Sequence, residues 1–358
     1  MVALSGPDAM RICVTGHRGY VGAILLPLLQ RRGHWVLGID TGLFAECAVP
    51  GPSPSPQPDR SLCRDIRDVG AADLEDIDAV VHLAGLSNDP LGDLDPALTA
   101  GINGDAAAAL AAAARRAGVG RFVFASTCSV YGAAGDDVVN EATPPRPVTP
   151  YAAAKLAAET AILQLAADAF TPILLRFATA YGYSPMLRFD LVANNMTAHA
   201  IASGRVLLKS TGTQWRPLIH VADMADALVA ALDAPRQAVH AQTVNVGSDD
   251  DNVRIADLAE LVAAAIPGAG VERMTGAEPD RRSYRVSFAR VAQILPDFRP
   301  CWTIAKGVAD LHGRIVGLGL PTCDFEGARF NRLPHLLRQR AAGRVTGDLR
   351  PASTARPT

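Results

Sequence analysis

Short apolar runs alternate with longer amphipathic stretches through the first half of the chain. The runs at 10–15, 35–39, 79–84, 121–126 and 172–177 predict β-strands, and the stretches near 20–32, 95–117 and 150–168 predict helices. A chain that repeats strand and helix in this order folds as a doubly wound parallel sheet, an α/β architecture. Beyond about residue 183 the alternation becomes irregular, with helices predicted near 190–203, 221–233, 255–266 and 303–315 and short strands near 206–208 and 243–246. That change predicts a smaller lobe interleaved with the sheet domain. Two segments fall outside the pattern. Val49 to Asp59 carries proline at every second position, which excludes helix and central strand and predicts an extended, disordered surface loop. Beyond Leu320 the tail is basic and polar, and its last dozen residues carry too little apolar area to offset the entropy of ordering them.

Composition narrows the function classes. The chain has 358 residues, 49% of them hydrophobic and 20% charged, enough to bury a large core. Its net charge of −2, with both signs interspersed, gives no footprint for nucleic acid or an anionic membrane. Any anion it binds is therefore held locally. The six cysteines are scattered without a CxxC pair, which fits a reducing compartment better than a disulfide framework. Residues 1–9 carry neither the basic start nor the apolar core of a secretory leader, and no apolar run approaches the roughly 20 residues of a membrane helix. A cytoplasmic protein is expected.

Three sets of residues carry candidate chemistry. Thr15-Gly16-His17-Arg18-Gly19-Tyr20-Val21-Gly22 lies between the first predicted strand and the first helix. Its glycines permit a tight turn and close approach of a diphosphate to the helix N-terminus. The next strand ends at Asp40, about 20 residues further on, where a carboxylate accepts both ribose hydroxyls of adenosine and repels a 2′-phosphate. This combination predicts NAD rather than NADP. The second set is Tyr151 and Lys155, one helical turn apart, where an ammonium beside a phenol favours the phenolate and draws its pKa of about 10 towards neutrality. The third is Ser126 and Thr127, hydroxyls at the carboxyl end of a buried strand, where open α/β sheets bind ligands.

Taken in order with Asp65-Ile66, His82-Leu-Ala-Gly85, Val130-Tyr131-Gly132, Asn194-Asn195, the Gly212-to-Asp223 stretch and Asn245-Val-Gly247, these motifs resemble the extended short-chain dehydrogenase/reductases. More narrowly they resemble the NAD-dependent nucleotide-sugar epimerase/dehydratase family, in particular UDP-sugar 4-epimerases. The resemblance spans about residues 10–315. It implies a Rossmann-type domain over 10–182, with later segments returning to it, a mainly substrate-binding lobe over 183–320 and a C-terminal extension over 321–358. It also implies that Gly16, Gly19, Tyr20, Val21 and Gly22 surround the NAD diphosphate while Asp40, Asp65 and Ile66 hold the adenosine. Leu83, Ala84, Gly85 and Ser126 would line the rest of the cofactor, together with Tyr151 and Lys155. Thr127, Tyr151 and Lys155 would be catalytic; Thr127, Thr179, Asn195 and Arg216 would bind the nucleotide sugar, with Arg281 or Arg282 supplying an arginine that the family carries elsewhere.

Departures from the family pattern shape the expected reaction. Sugar-nucleotide 4,6-dehydratases of the family carry an Asp-Glu pair where this chain has Cys128 and Ser129, so ordinary 4,6-dehydration is not expected. Cys128 also lies one residue before the family's 3,5-epimerase cysteine, and a buried, inert thiol is expected there. Thr179 replaces a frequent asparagine, and Ser87 stands where related 4-epimerases have a lysine near the cofactor phosphates. The resemblance thus implies C4 epimerisation of an NDP-hexose through a transient 4-keto sugar. A 4-ketoreductase or related sugar-nucleotide oxidoreductase/dehydratase, and a catalytically idle NAD-binding regulator, are the alternatives. Alanine-rich faces over 105–116 and 151–167 imply a homodimer built by four-helix packing, as in the family. No metal is expected.

Overall fold

The computed structural model describes residues 9–49, 56–208, 210–274 and 282–352. Its centre is a seven-stranded sheet of β1 (Arg11–Thr15), β2 (Trp35–Asp40), β3 (Arg60–Cys63), β4 (Ala79–His82), β5 (Arg121–Thr127), β6 (Thr171–Phe177) and β7 (Gln242–Val246). The strands lie in the order β7-β6-β5-β4-β1-β2-β3, all parallel. Strand order reverses between β1 and β4, the place where such sheets open a crevice at their carboxyl ends. β7, a later segment of the chain, pairs with β6 in register Val244↔Leu175. β3 was not foreseen, because only Leu62 of Arg60–Cys63 is apolar and the strand sits at the sheet edge.

Residues within a strand alternate between two helical layers, which is why the runs are apolar throughout. Ile12, Val14 and Val123 face α1 (Gly22–Arg31) and a later helix, Val221–Asp233. Cys13, Val80 and Phe122 face the opposite layer, formed by α2 (Pro96–Arg116) and α3 (Pro150–Leu163). α2 is 21 residues long and, by length and composition alone, apolar enough to cross a membrane: an 18-residue window in it has a mean hydropathy of 1.2 and is 56% buried, with Leu110 and Ala114 packed on the sheet. After its first turn, Pro96–Thr99, it passes through a π-helical stretch at Ala100–Asp105, where Asn103 clamps Leu86 by accepting from its amide at 2.8 Å and donating to its carbonyl at 2.9 Å. Three of the four residues in Pro150's first turn are apolar, and Thr149 caps α3 by accepting from Ala152 N at 3.2 Å.

The smaller lobe packs α4 (Val192–Ser203), Ile255–Ala265 and Ile304–Leu318 around Met196, Leu258 and Val308. Two short sheets link it to the larger domain. Trp215–His220 pairs with Thr179–Tyr181 and Asn252–Arg254, and Ser283–Val286 pairs with Ala133–Val139.

The C-terminal extension departs from the expectation of an unpacked end. Leu349, inside the last dozen residues, is 2% exposed and packs with Ile66, Leu86 and Leu336. The segment is tied down by Arg67, whose Nη1 donates to the Asp348 carbonyl at 2.9 Å, and by the Arg350–Asp68 ion pair. Its helix Arg332–Ala341 buries Leu336 against α2's neighbours. A few apolar anchors suffice because the surface they meet is already formed. Of the proline-rich loop, 50–55 lie outside the described residues, as do 353–358 of the tail; Val49 itself is buried and donates from its amide to Pro185 O at 2.8 Å.

Candidate active site

A cleft of about 420 Å³ opens where the sheet order reverses. Its floor is the glycine turn after β1. Gly16 has φ +74°, and a Cβ there would meet Ala84 N at 2.8 Å, so only glycine fits. A Cβ on Gly22 would meet Gly16 O at 2.3 Å, which fixes how closely α1 approaches the turn. Gly16, Gly19, Tyr20, Val21 and Gly22 all line the cleft. The first turn of α1 carries no acidic side chain, leaving its N-terminal positive dipole uncompensated. Asp40 lines the cleft at the end of β2 and accepts from the amides of Gly42 at 2.8 Å and Arg18 at 3.1 Å. Asp65 and Ile66 follow on the same wall. Burial pushes the Asp65 carboxyl up, but two side-chain bonds and an amide bond from Arg67 outweigh it and hold the group below the usual range. Leu83, Ala84 and Gly85 complete this half of the cleft.

α3 brings Tyr151 and Lys155 to the middle of the cleft, opposite Ser126 and Thr127 at the end of β5. The lysine does not pull the phenol towards neutrality as its position suggested. Lys155 Nζ donates to Ala125 O at 2.9 Å, and burial lowers its pKa from 10.5 to about 8 despite Glu159 nearby. The Tyr151 phenol is pushed up, first by burial and then by the Asp89 carboxylate, while Arg188 and the Thr127 hydroxyl favour the phenolate. Two charges and a hydroxyl from other parts of the chain thus act on a tyrosine whose sequence partner was expected to dominate.

Beneath this pair lies a buried network centred on Glu159 and Arg176, neither of which stands in the motifs above. Glu159, on the turn of α3 after Lys155, accepts from the Ser126 hydroxyl and forms a two-pronged ion pair with Arg176, Nη2 to Oε2 at 2.6 Å and Nε to Oε1 at 3.0 Å. Arg176 Nη1 also donates to Tyr131 Oη at 3.1 Å, and Tyr131 donates to Asn245 Oδ1 at 2.8 Å. Ser126 therefore lines the cleft with its hydroxyl turned inward.

At the far end, Thr179, Arg216 and Arg282 line the cleft. Arg282 forms an ion pair with Asp89, whose other oxygen accepts from Thr149 at 2.6 Å. Asn195 does not reach it: Asn195 Nδ2 donates to Phe189 O at 2.9 Å, holding the loop before α4 instead. Arg281 lies outside the described residues. Among the lining residues that the sequence reading missed are Asp89, Arg188 and Asp190. Arg188 is 5% exposed and pairs with Asp190, Nε to Oδ1 at 2.9 Å. Only the Asn-Asp turn preceding Pro90 hinted at Asp89; nothing local marks the other two.

Residues 12–247 match the NAD dependent epimerase/dehydratase family. The chain belongs to that family. A UDP-glucose 4-epimerase from Azospirillum brasilense is 30% identical over 75% of this chain and 82% of its own length. Among solved structures, the NAD-dependent NDP-hexosamine 5,6-dehydratase TunA of tunicamycin biosynthesis is 26% identical with a TM-score of 0.75, covering 86% of this chain and 98% of that one. MoeE5 in complex with UDP-glucuronic acid and NAD is also 26% identical, with a TM-score of 0.73 over 86% of this chain and 99% of that one.

NAD is the cofactor of this epimerase/dehydratase family member. The site fits it: a glycine turn without room for a side chain, an uncompensated helix N-terminus and Asp40 stand in the order a dinucleotide needs. The two positions that resemble a dehydratase acid-base pair are otherwise engaged. The Cys128 thiol is fully buried, donates to Arg176 O at 3.1 Å and is pushed well up by burial, so it is inert at neutral pH. The Ser129 hydroxyl is bonded to Tyr284 Oη at 3.1 Å. Ser87, where related epimerases have a lysine, accepts from Arg188 Nη1 at 2.9 Å, so a cation returns to that place from a different element.

Proposed function

We propose that this protein epimerises a nucleotide-activated hexose at C4, with a UDP-sugar the first to test. One observation carries the reading. Every carboxylate lining the cleft among the described residues is already held: Asp40 by backbone amides, Asp65 by Arg67, Asp89 by Arg282 and Thr149, and Asp190 by Arg188. Dehydration needs a carboxylate or similar base to remove a proton from sugar carbon, and the groups left around Tyr151 are the hydroxyls of Thr127, Ser129 and Tyr284. These suit movement of a hydroxyl proton and hydride, not loss of water.

In this reading Thr127 orients the C4 hydroxyl and Tyr151 takes its proton, with Arg188 and the Thr127 hydroxyl favouring the phenolate, while Lys155 stays an ammonium below about pH 8. NAD, when bound, would supply the hydride chemistry, taking the C4 hydride and returning it to the opposite face of the 4-keto sugar once the sugar has rotated. Tyr151 then returns the proton to the reduced oxygen, so atoms and electrons balance with no second reactant. Arg216 and Arg282, which line the cleft, would hold the substrate diphosphate through forked donors. A homodimer fits the exposed Ala109, Ala153 and Ala157 on the outer faces of α2 and α3.

The test incubates the full chain with UDP-glucose, UDP-glucuronic acid and UDP-N-acetylglucosamine in deuterated water and follows the sugar by NMR. C4 epimers without deuterium on carbon are expected. Deuterium at C5, or an unsaturated sugar, would overturn the reading in favour of dehydration.

A further inference from the structure

The wall facing the glycine turn holds more positive charge than the protein itself neutralises. Arg332 opens the helix of the C-terminal extension, lines the cleft and is 3% exposed. Its Nη2 donates to Met186 O at 2.9 Å, and its Nη1 has no hydrogen-bond partner among the described residues. The Cys47 thiol beside it is neutral, pushed up to about 11 chiefly by burial, and sulfur is a weak acceptor. Asp190 forms its ion pair with Arg188 and meets Arg332 only through the backbone amide, N to Oδ2 at 3.4 Å, so it is the one carboxylate whose charge reaches both guanidinium groups. Two buried guanidinium groups against one carboxylate leave a charge that is costly unless a ligand supplies the counterion.

Location identifies the ligand. Arg188 lies 6.0 Å from the Tyr20 ring of the glycine turn, and Arg332 lies 5.2 Å from the ring of Phe44, just beyond Asp40. Both therefore stand on the cofactor side of the cleft, across from the N-terminus of α1, whereas Arg216 and Arg282 occupy the other end. The geometry points to Arg332 as a ligand of the dinucleotide diphosphate, with Arg188 as the second cation, so that the C-terminal extension completes the cofactor site. Residue 332 lies beyond the segment 12–247 that matches the family, so this would be a contribution of this chain's own tail. The inference rests on NAD as the cofactor and uses no feature of the sugar reaction.

The experiment titrates NAD, ADP, adenosine and UDP separately into the full-length chain freed of bound nucleotide, in the wild type, Arg332→Met and Arg332→Lys. Losing a charge-assisted bond to phosphate weakens NAD and ADP in Arg332→Met by about 10–100-fold. Adenosine and UDP stay as in the wild type, and Arg332→Lys, which keeps the charge, recovers part of the loss. Equal weakening of adenosine would make Arg332 a strut of the pocket and overturn the inference. Weakening of UDP alone would assign the guanidinium to the sugar nucleotide, and unchanged NAD binding in both variants would also overturn it. Sugar turnover is not read, so failure here and failure of the C4 reading are separable.

Discussion

The interior behind β5 and the cleft in front of it both bury arginine, and they satisfy it differently. Behind the strand, Arg176 meets Glu159 through two oxygens and Tyr131 through a third bond, a pair closed within the protein. In front, Arg188 pairs with Asp190, while Arg332 meets that carboxylate only through its backbone amide and keeps one guanidinium nitrogen without a partner among the described residues. A closed pair rigidifies the end of β5, where Thr127 must hold its place. An open one is a place for an anion. Removing charge should therefore cost stability behind the strand and ligand binding or turnover in front of it.

The largest effect is expected in front. Tyr151→Phe deletes one oxygen and should lower turnover of a verified sugar nucleotide by about 10²–10⁴-fold, with melting temperature and NAD binding kept. A loss below about tenfold would remove Tyr151 from the chemistry. Next comes the interior. Glu159→Gln leaves Arg176 uncompensated and should destabilise the fold by about 3–5 kcal/mol in denaturant unfolding. Pairing it with Arg176→Met should restore part of that, whereas Arg332→Met should leave the ligand-free stability near the wild type. If Arg332→Met destabilises as much as Glu159→Gln, the contrast between the two regions is lost.

Asp40→Ala has a smaller expected effect: NAD affinity falls and the preference over NADP narrows, since a ribose acceptor and a charge repelling the 2′-phosphate go together. Unchanged discrimination would place Asp40 outside the adenosine pocket. The smallest effect concerns pH. Buried His82, bonded to the Thr15 hydroxyl at 2.7 Å, has its pKa lowered from 6.5 to about 3 by burial and then by Lys155. Between these values the unfolded chain binds the proton and the folded one does not, so stability falls as pH drops from about 6.5 towards 3. His220, lowered to about 4 by burial, adds in the same direction. Melting curves at pH 4–7 should show the decline, shallower in His82→Gln; equal slopes would remove His82 as a source.

What the chain determined by itself was local. Apolar runs, a glycine spacing and the Tyr151–Lys155 turn act within a few residues, so the α/β class, the cofactor turn and the presence of Tyr151 and Lys155 in the cleft were legible. The short edge strand β3 was not, because pairing at one side of a sheet needs few apolar residues. Nor was the electrostatics. Tyr151 feels Asp89 and Arg188, Asn195 serves a loop carbonyl, and Arg332 returns from the tail to face the glycine turn. These arrangements join residues far apart in sequence. Burial gives each charge its energy and the fold alone chooses its neighbours, so only the tertiary structure decided which cations are closed and which still await an anion.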